Sequence, residues 1–151
     1  MYQYFPHKQA LIYALNERYL QALAEKIEAT CHTNRGAPIG QMVEALIGTY
    51  WRAKTERADV TRALYRSVVE LDNEALIDTF AHRVDAATAA MLASASDASF
   101  ADLESVSLTL VTVIFGTVRN AFERDLPTPA ADALQGQLML MCHSYLRVAT
   151  A

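Results

Sequence analysis

The sequence predicts an all-α fold, a bundle of about six helices, and three observations carry that prediction. Apolar residues recur at steps of three and four along most of the chain, the spacing that gathers one face of an α-helix. Only 5 Gly and 4 Pro punctuate 151 residues, too few for the many turns of a sandwich or barrel. The length is that of one domain with a proper core. Hydrophobic residues make up 52% and charged ones 20%, which implies extra buried surface in a cavity or a subunit interface.

The elements follow in order. A first helix over residues 8–29 is predicted by Ile12, Leu15, Tyr19, Leu23 and Ile27 on one face. The segment 32–38 breaks it, and Pro38 suits the first position of a second helix, where its missing N–H costs nothing. That helix carries Ile39, Met42, Val43, Leu46, Ile47 and Tyr50 and ends near Glu56. Asp59 caps a short third helix bearing Leu64, Val68 and Leu71. Asp72 caps a fourth with Leu76, Phe80, Val84, Ala87 and Met91 on one face. Ser99 with Asp102 resembles a capping box ahead of the next helix.

The fifth helix, over residues 100–124, has Leu103, Val106, Leu110, Ile114 and Val118 on one face and Leu108, Val111, Phe115 and Phe122 on the other. Its β-branched content argues for a strand. Its length, its polar end and the absence of an internal turn signal decide for a helix, buried nearly all round. Thr128 as cap and Pro129 start the last helix, over residues 129–149, which carries no charge from Ala133 to Leu146. Leu134, Leu138, Met141 and Tyr145 form one of its faces; Met139, Cys142 and Leu146 form much of another. Two successive helices with two apolar faces each predict that one face joins the core and the other meets a second subunit. Leu108, Val111, Phe115, Leu138, Met139, Cys142 and Leu146 are the candidates for that homodimer interface.

The formal net charge is −4, whereas a surface that binds nucleic acid through its phosphates is normally basic. Cys31 and Cys142 stand far apart and form no C-x-x-C, so free thiols are expected. Cys31-His32 and Cys142-His143 look like two halves of a zinc site. Adjacent residues on a helix point about 100° apart, so each pair offers at most one good ligand, and no metal is expected. The start of the chain lacks the pattern of a signal peptide. The uncharged run over residues 105–118, which no other exceeds, falls short of the about 20 apolar residues that span a bilayer, and a cytoplasmic location is expected. Enzyme motifs such as G-x-S-x-G, G-x-G-x-x-G, the P-loop and H-E-x-x-H do not occur.

Tyr2, Tyr4, Phe5, Lys8, Ala10 and Leu11 together resemble a signature of the TetR family of transcriptional regulators. There a Y-x-Y-F stretch ends the DNA-recognition helix, a short break follows, and a lysine opens the next helix ahead of a small-apolar pair. The rest of the chain is similar to that family in pattern: a succession of helices, Gly116 inside an apolar penultimate helix, and two final helices suited to a four-helix dimer interface. The departures are Met1, where an apolar residue of the recognition helix is usual, and His7, where Ser or another good cap is usual.

The resemblance implies a TetR-like C-terminal helical bundle in a transcriptional regulator, a repressor, that binds a small apolar or amphipathic effector, dimerises and needs no cofactor. It implies that residues 1–7 are a remnant of the recognition helix and residues 8–151 the ligand-binding and dimerisation domain. Tyr2, Tyr4, His7 and Lys8 would contact operator DNA in a form with the complete helix-turn-helix, which is expected in frame upstream of Met1. Effector cavities are built from aromatics with a few polar groups, which makes Tyr50, Trp51, Tyr65, Phe80, Phe115 and Arg119 the candidate pocket. Arg119 closes an uncharged run and meets either an anionic ligand or an acid such as Glu123 or Asp125. The second reading is a stand-alone helical dimerisation module with no small-molecule ligand. A cavity in the single chain favours the first reading, a fully packed core the second.

Overall fold

A computed structural model describes residues 4–56 and 73–151, with side chains from Lys8 onward. Among the described residues the regular structure is helical: α1 (Tyr4–Thr33), α2 (Ile39–Glu56), α3 (Glu74–Ala93), α4 (Leu103–Glu123) and α5 (Thr128–Ala149). The all-α prediction holds. The expected short helix with Leu64, Val68 and Leu71, and its cap Asp59, lie outside the described residues, as does Asp72.

The helix ends explain most differences from the expected boundaries. α1 starts at Tyr4 rather than at Lys8. Pro6 is its third residue, where a missing N–H has no intrahelical partner to lose. The N-cap of α3 is Asn73, one residue after the expected Asp72, and its side chain makes no capping bond. At α4 the cap is Asp102 rather than Ser99: its carboxylate accepts from the Ser105 N–H, and the Ser105 hydroxyl together with that N–H holds the Asp102 carboxyl below its ordinary value. α5 is capped by Pro127, with Thr128 already helical. The C-terminus of α4 closes with two bonds of the Schellman pattern, Leu126 N–H to Ala121 C=O and Asp125 N–H to Phe122 C=O. The residue that turns left-handed there is Asp125, at φ 50°.

The centre of the bundle is α2, not α4. α2 packs against all four other helices, whereas α1 packs most extensively on α3. Met42, Val43, Leu46, Ile47 and Tyr50 are all buried. α4 buries one broad face, with Val106, Leu110, Val111, Ile114 and Val118, and leaves Leu108, Thr112 and Gly116 in the open. The expectation of a helix buried nearly all round is therefore corrected: Thr and Gly interrupt its second stripe. α4 has 21 residues and a mean hydropathy of 1.3, long and apolar enough to cross a membrane by length and composition, because the helix reaches beyond its uncharged run on both sides. Its buried stripe packs on α2, α3 and α5.

Several polar contacts fix the helices. Arg83 on α3 forks onto the Glu28 carboxylate on α1, with Nε donating to Oε2 at 3.2 Å. Thr30 and Thr49 hydroxyls meet at 2.7 Å between α1 and α2. At one end of the bundle the loops are tied together. Asp97 accepts from the Ile39 N–H at the start of α2, Ser94 Oγ accepts from the Gly36 N–H, and Ala151 N–H donates to Ser99 C=O. Gly36 sits at φ 78°, a left-handed turn that a side chain would strain.

Candidate functional site

The candidate site is a partly open cavity of about 360 Å³ between α1, α2, α3 and α4. α1 contributes Leu20 and Leu23, α2 contributes Tyr50 and Lys54, and α3 with its cap contributes Asn73, Ile77, Phe80 and Ala81. α4 supplies Val111, Thr112, Phe115, Gly116 and Arg119. The volume lies at the lower end of the range for small-molecule sites.

Its aromatic wall is built across three helices. Phe115 on α4 stacks on Tyr50 of α2 with centroids 3.9 Å apart and planes 12° apart. Phe80 from α3 tilts against the same Phe115 at 5.8 Å. Such pairs fix one another's orientation, so the wall is formed before any ligand arrives. Gly116 follows Phe115, and a Cβ built on it would meet nothing within 4 Å. The absent side chain therefore leaves open space beside the α4 backbone.

Against this wall stand a few polar groups. Lys54 is 2% exposed, and its Nζ lies 5.2 Å from the ring centroids of both Tyr19 and Tyr50, within cation–π range. Burial, with the neighbouring Arg119 charge, pushes its pKa down to about 8. Asn73 is also 2% exposed, and neither its amide oxygen nor its nitrogen has a hydrogen-bond partner among the described residues. Arg119 donates from Nε to Glu123 at 2.8 Å, which makes Glu123 the acid it meets, and it lines the cavity as well. No Asp, Glu, His or Cys is among the described lining residues.

Of the expected pocket residues, Tyr50, Phe80, Phe115 and Arg119 come together in this cavity. Trp51 does not: one residue round the helix from Tyr50, it lines a smaller cleft of about 160 Å³ with Ala121, Phe122 and Leu126. Tyr65 lies outside the described residues. Sequence reasoning missed Lys54 and Asn73. The signal for Lys54 was present, since Val43, Ile47, Tyr50 and Lys54 fall at i, i+4, i+7 and i+11, one stripe of α2.

The expected interface residues separate into two sets. Val111, Leu138, Cys142 and Leu146 are buried in the core of the single chain and so present nothing to a partner. Phe115 turns into the cavity, and Met139 is half-buried. Leu108 is 55% exposed, and on α5 the open apolar residues are Leu140, Met141, Tyr145 and Val148. The apolar surface on the last two helices is real, but its members differ. The core stripe of α5 is Leu138, Cys142 and Leu146, set by α2, whose Gly40 approaches α5 so closely that a Cβ would lie 3.2 Å from the His143 ring. Both cysteines are free, buried thiols; burial pushes the pKa of each up to about 11. Lys8 is exposed, the side chains of Tyr4 and His7 lie outside the described set, and so does Tyr2.

Comparison with curated proteins finds no match, and comparison with solved structures finds none. The family model described as the tetracyclin repressor-like C-terminal domain matches residues 38–146, well over half of the chain and nearly all of α2 to α5. On that match and on the helical fold, the chain belongs to the tetracycline repressor-like C-terminal domain family, the regulatory domain of TetR-type transcription regulators.

Proposed function

We propose that this domain binds a small, mostly apolar effector in the cavity between α1 and α4 and forms a homodimer, within a cytoplasmic repressor that releases its operator when the effector binds. The observation that carries the reading is the cavity itself: three aromatics in contact and a few polar groups around about 360 Å³, the composition of a ligand site and not of a closed core. The cavity reaches α1 through Leu20 and Leu23, and the same helix carries Lys8 at its other end. An effector with better affinity for one position of α1 shifts the population toward it. In a form of the protein with a helix-turn-helix, Tyr2, Tyr4, His7 and Lys8 are the DNA contacts that this reading expects. The exposed Leu108, Met141 and Tyr145 supply the apolar surface for the second subunit.

The test is a thermal-shift screen of apolar small molecules against the wild-type domain and Gly116→Phe, which projects a ring into the open space beside α4. Compounds that stabilise only the wild type locate the site. They are then expected to release operator DNA in a gel-shift assay on a form carrying the helix-turn-helix. A wild-type domain that no compound stabilises would move the reading to a dimerisation module without a ligand.

A further inference from the structure

One polar group of the cavity stands apart from the rest. Tyr50 and Lys54 each have partners within the protein, and Arg119 is paired with Glu123. Asn73 differs: its side chain is buried on the cavity wall, and neither the amide oxygen nor the amide nitrogen has a hydrogen-bond partner among the described residues. An amide in that position is unfavourable, because burial has removed its water and put nothing in its place.

The local fold leaves that amide available to a ligand. Asn73 is the N-cap of α3, and its backbone is held there, since its C=O accepts from the Ile77 N–H at 3.0 Å. Its side chain makes no capping bond, so turning it toward the cavity breaks no hydrogen bond. Asn73, Ile77 and Phe80 follow one another at i, i+4 and i+7, the stripe of α3 that lines the cavity. The amide therefore stands at the end of an apolar wall that leads to Phe80 and Phe115. The exposed lining residues, Ile77 on α3 with Thr112, Gly116 and Arg119 on α4, mark the mouth through which a ligand reaches it.

A carboxamide presents an acceptor and a donor side by side in one plane. Both are bonded at once only by a group that offers the reverse pair. A carboxylate only accepts and leaves the Asn73 oxygen unbonded; an ammonium only donates and leaves the nitrogen unbonded; a hydrocarbon bonds neither. We infer that the cavity takes a neutral, flat ring compound whose N–H and C=O stand side by side, as in a lactam, with that edge paired to the Asn73 amide and the rings against Phe80 and Phe115. The inference rests on the proposed reading of the cavity as an effector site and narrows it to one ligand class. Gly116 gives the rings room, since nothing stands within 4 Å of where its Cβ would be.

Calorimetric titration with matched pairs tests it: carbostyril, isocarbostyril and oxindole, each against its N-methyl derivative, on the wild type, Asn73→Leu and Asn73→Ala. Methylation keeps the rings and the carbonyl and removes the donor. The expected result is that at least one lactam binds the wild type about ten times more tightly than its N-methyl derivative, the worth of one hydrogen bond. In both Asn73 variants that preference should fall to about one, which separates the lost bond from the bulk of the methyl group. Thermal melts are expected to show Asn73→Leu folded and at least as stable as the wild type, since it removes an unbonded amide. N-methyl derivatives that bind the wild type as tightly as the lactams, or a preference that survives in both variants, overturn the inference and leave the ligand site standing. If neither series binds, the inference also falls. Binding of the neutral dye Nile red to the wild type, lost in Gly116→Phe, then decides whether a ligand site remains.

Discussion

Burial lowers the Lys54 pKa from 10.5 to about 8, and the sign of that shift determines what the residue does to folding. Between pH 8 and 10.5 the unfolded chain holds this proton and the folded chain does not, so stability rises with pH across that window. Below pH 8 both states hold it and the folded chain bears the whole penalty, on the order of 3 kcal/mol before the tyrosine contacts are credited. Lys54→Met is therefore expected to stabilise the ligand-free domain at pH 7 by up to about that amount and to lose part of the rise toward pH 10. Urea melts of both proteins at pH 7 and pH 9.5 measure the difference; identical pH responses would contradict the assignment. At this scale the sequence was only partly legible. The aromatics Tyr50, Phe80 and Phe115 stood out by type, because large rings at core spacing are rare and conspicuous. Lys54 did not, because a charged residue reads as a solvent-facing one unless its place on the stripe is counted. Asn73 is hidden for another reason: a short polar residue before a helix reads as a cap, and here it is the cap position whose side chain bonds nothing.

At the scale of the element, α5 shows what periodicity leaves undecided. Its run of uncharged residues establishes a helix with more apolar surface than one core can hide. Leu, Met and Cys are so alike in hydrophobicity that the pattern alone does not rank its faces. The stripe that packs, Leu138, Cys142 and Leu146, combines members of both expected faces, because the direction of approach of α2 decides it. The exposed set then carries a distinct expectation. Met141→Glu, at a position 62% exposed, together with Leu108→Arg, should leave the helical circular dichroism intact and convert a dimer to monomer in sedimentation velocity. Leu138→Arg, at a position 2% exposed, should unfold the domain, since an unpaired charge in the core costs several kcal/mol. A Leu138→Arg protein that folds and merely dissociates would reverse the two faces. Caps behave similarly: the expected Ser99 and Asp72 lie three residues and one residue before the observed caps Asp102 and Asn73, since neighbouring polar residues compete for one position and only the backbone chooses.

For the whole molecule, the fold class was readable because helical spacing runs through nearly every segment and turn residues are scarce. The arrangement was not: which helix is central depends on contacts between residues far apart in sequence. α2 holds the middle in part because a small residue, Gly40, lets α5 close in, a property that apolar counts alone do not register. The resulting bundle is uneven along its length. At the loop end, Asp97, Ser94 and Ala151 tie three segments together. Toward the other end of α1, Leu11, Tyr13 and Leu15 are exposed while Leu23, Ala24 and Ile27 are buried. Hydrogen exchange on the isolated domain is expected to follow that gradient, with amides near residues 11–15 exchanging at least tenfold faster than those near residues 23–27. Equal protection along the helix would contradict it.

The length of α1 gives that unevenness a mechanical meaning. It is one unbroken helix of 30 residues, and Lys8 stands 15 residues from the cavity-lining Leu23, about 22 Å at the rise of an α-helix. The helix is a lever with its fulcrum in the core. A tilt of about 5° at the level of Leu23, small enough for side chains to absorb without repacking, carries the Lys8 end through about 2 Å. A displacement at the cavity too slight to break a single contact is thus multiplied at the far tip, where whatever the helix carries is moved bodily sideways.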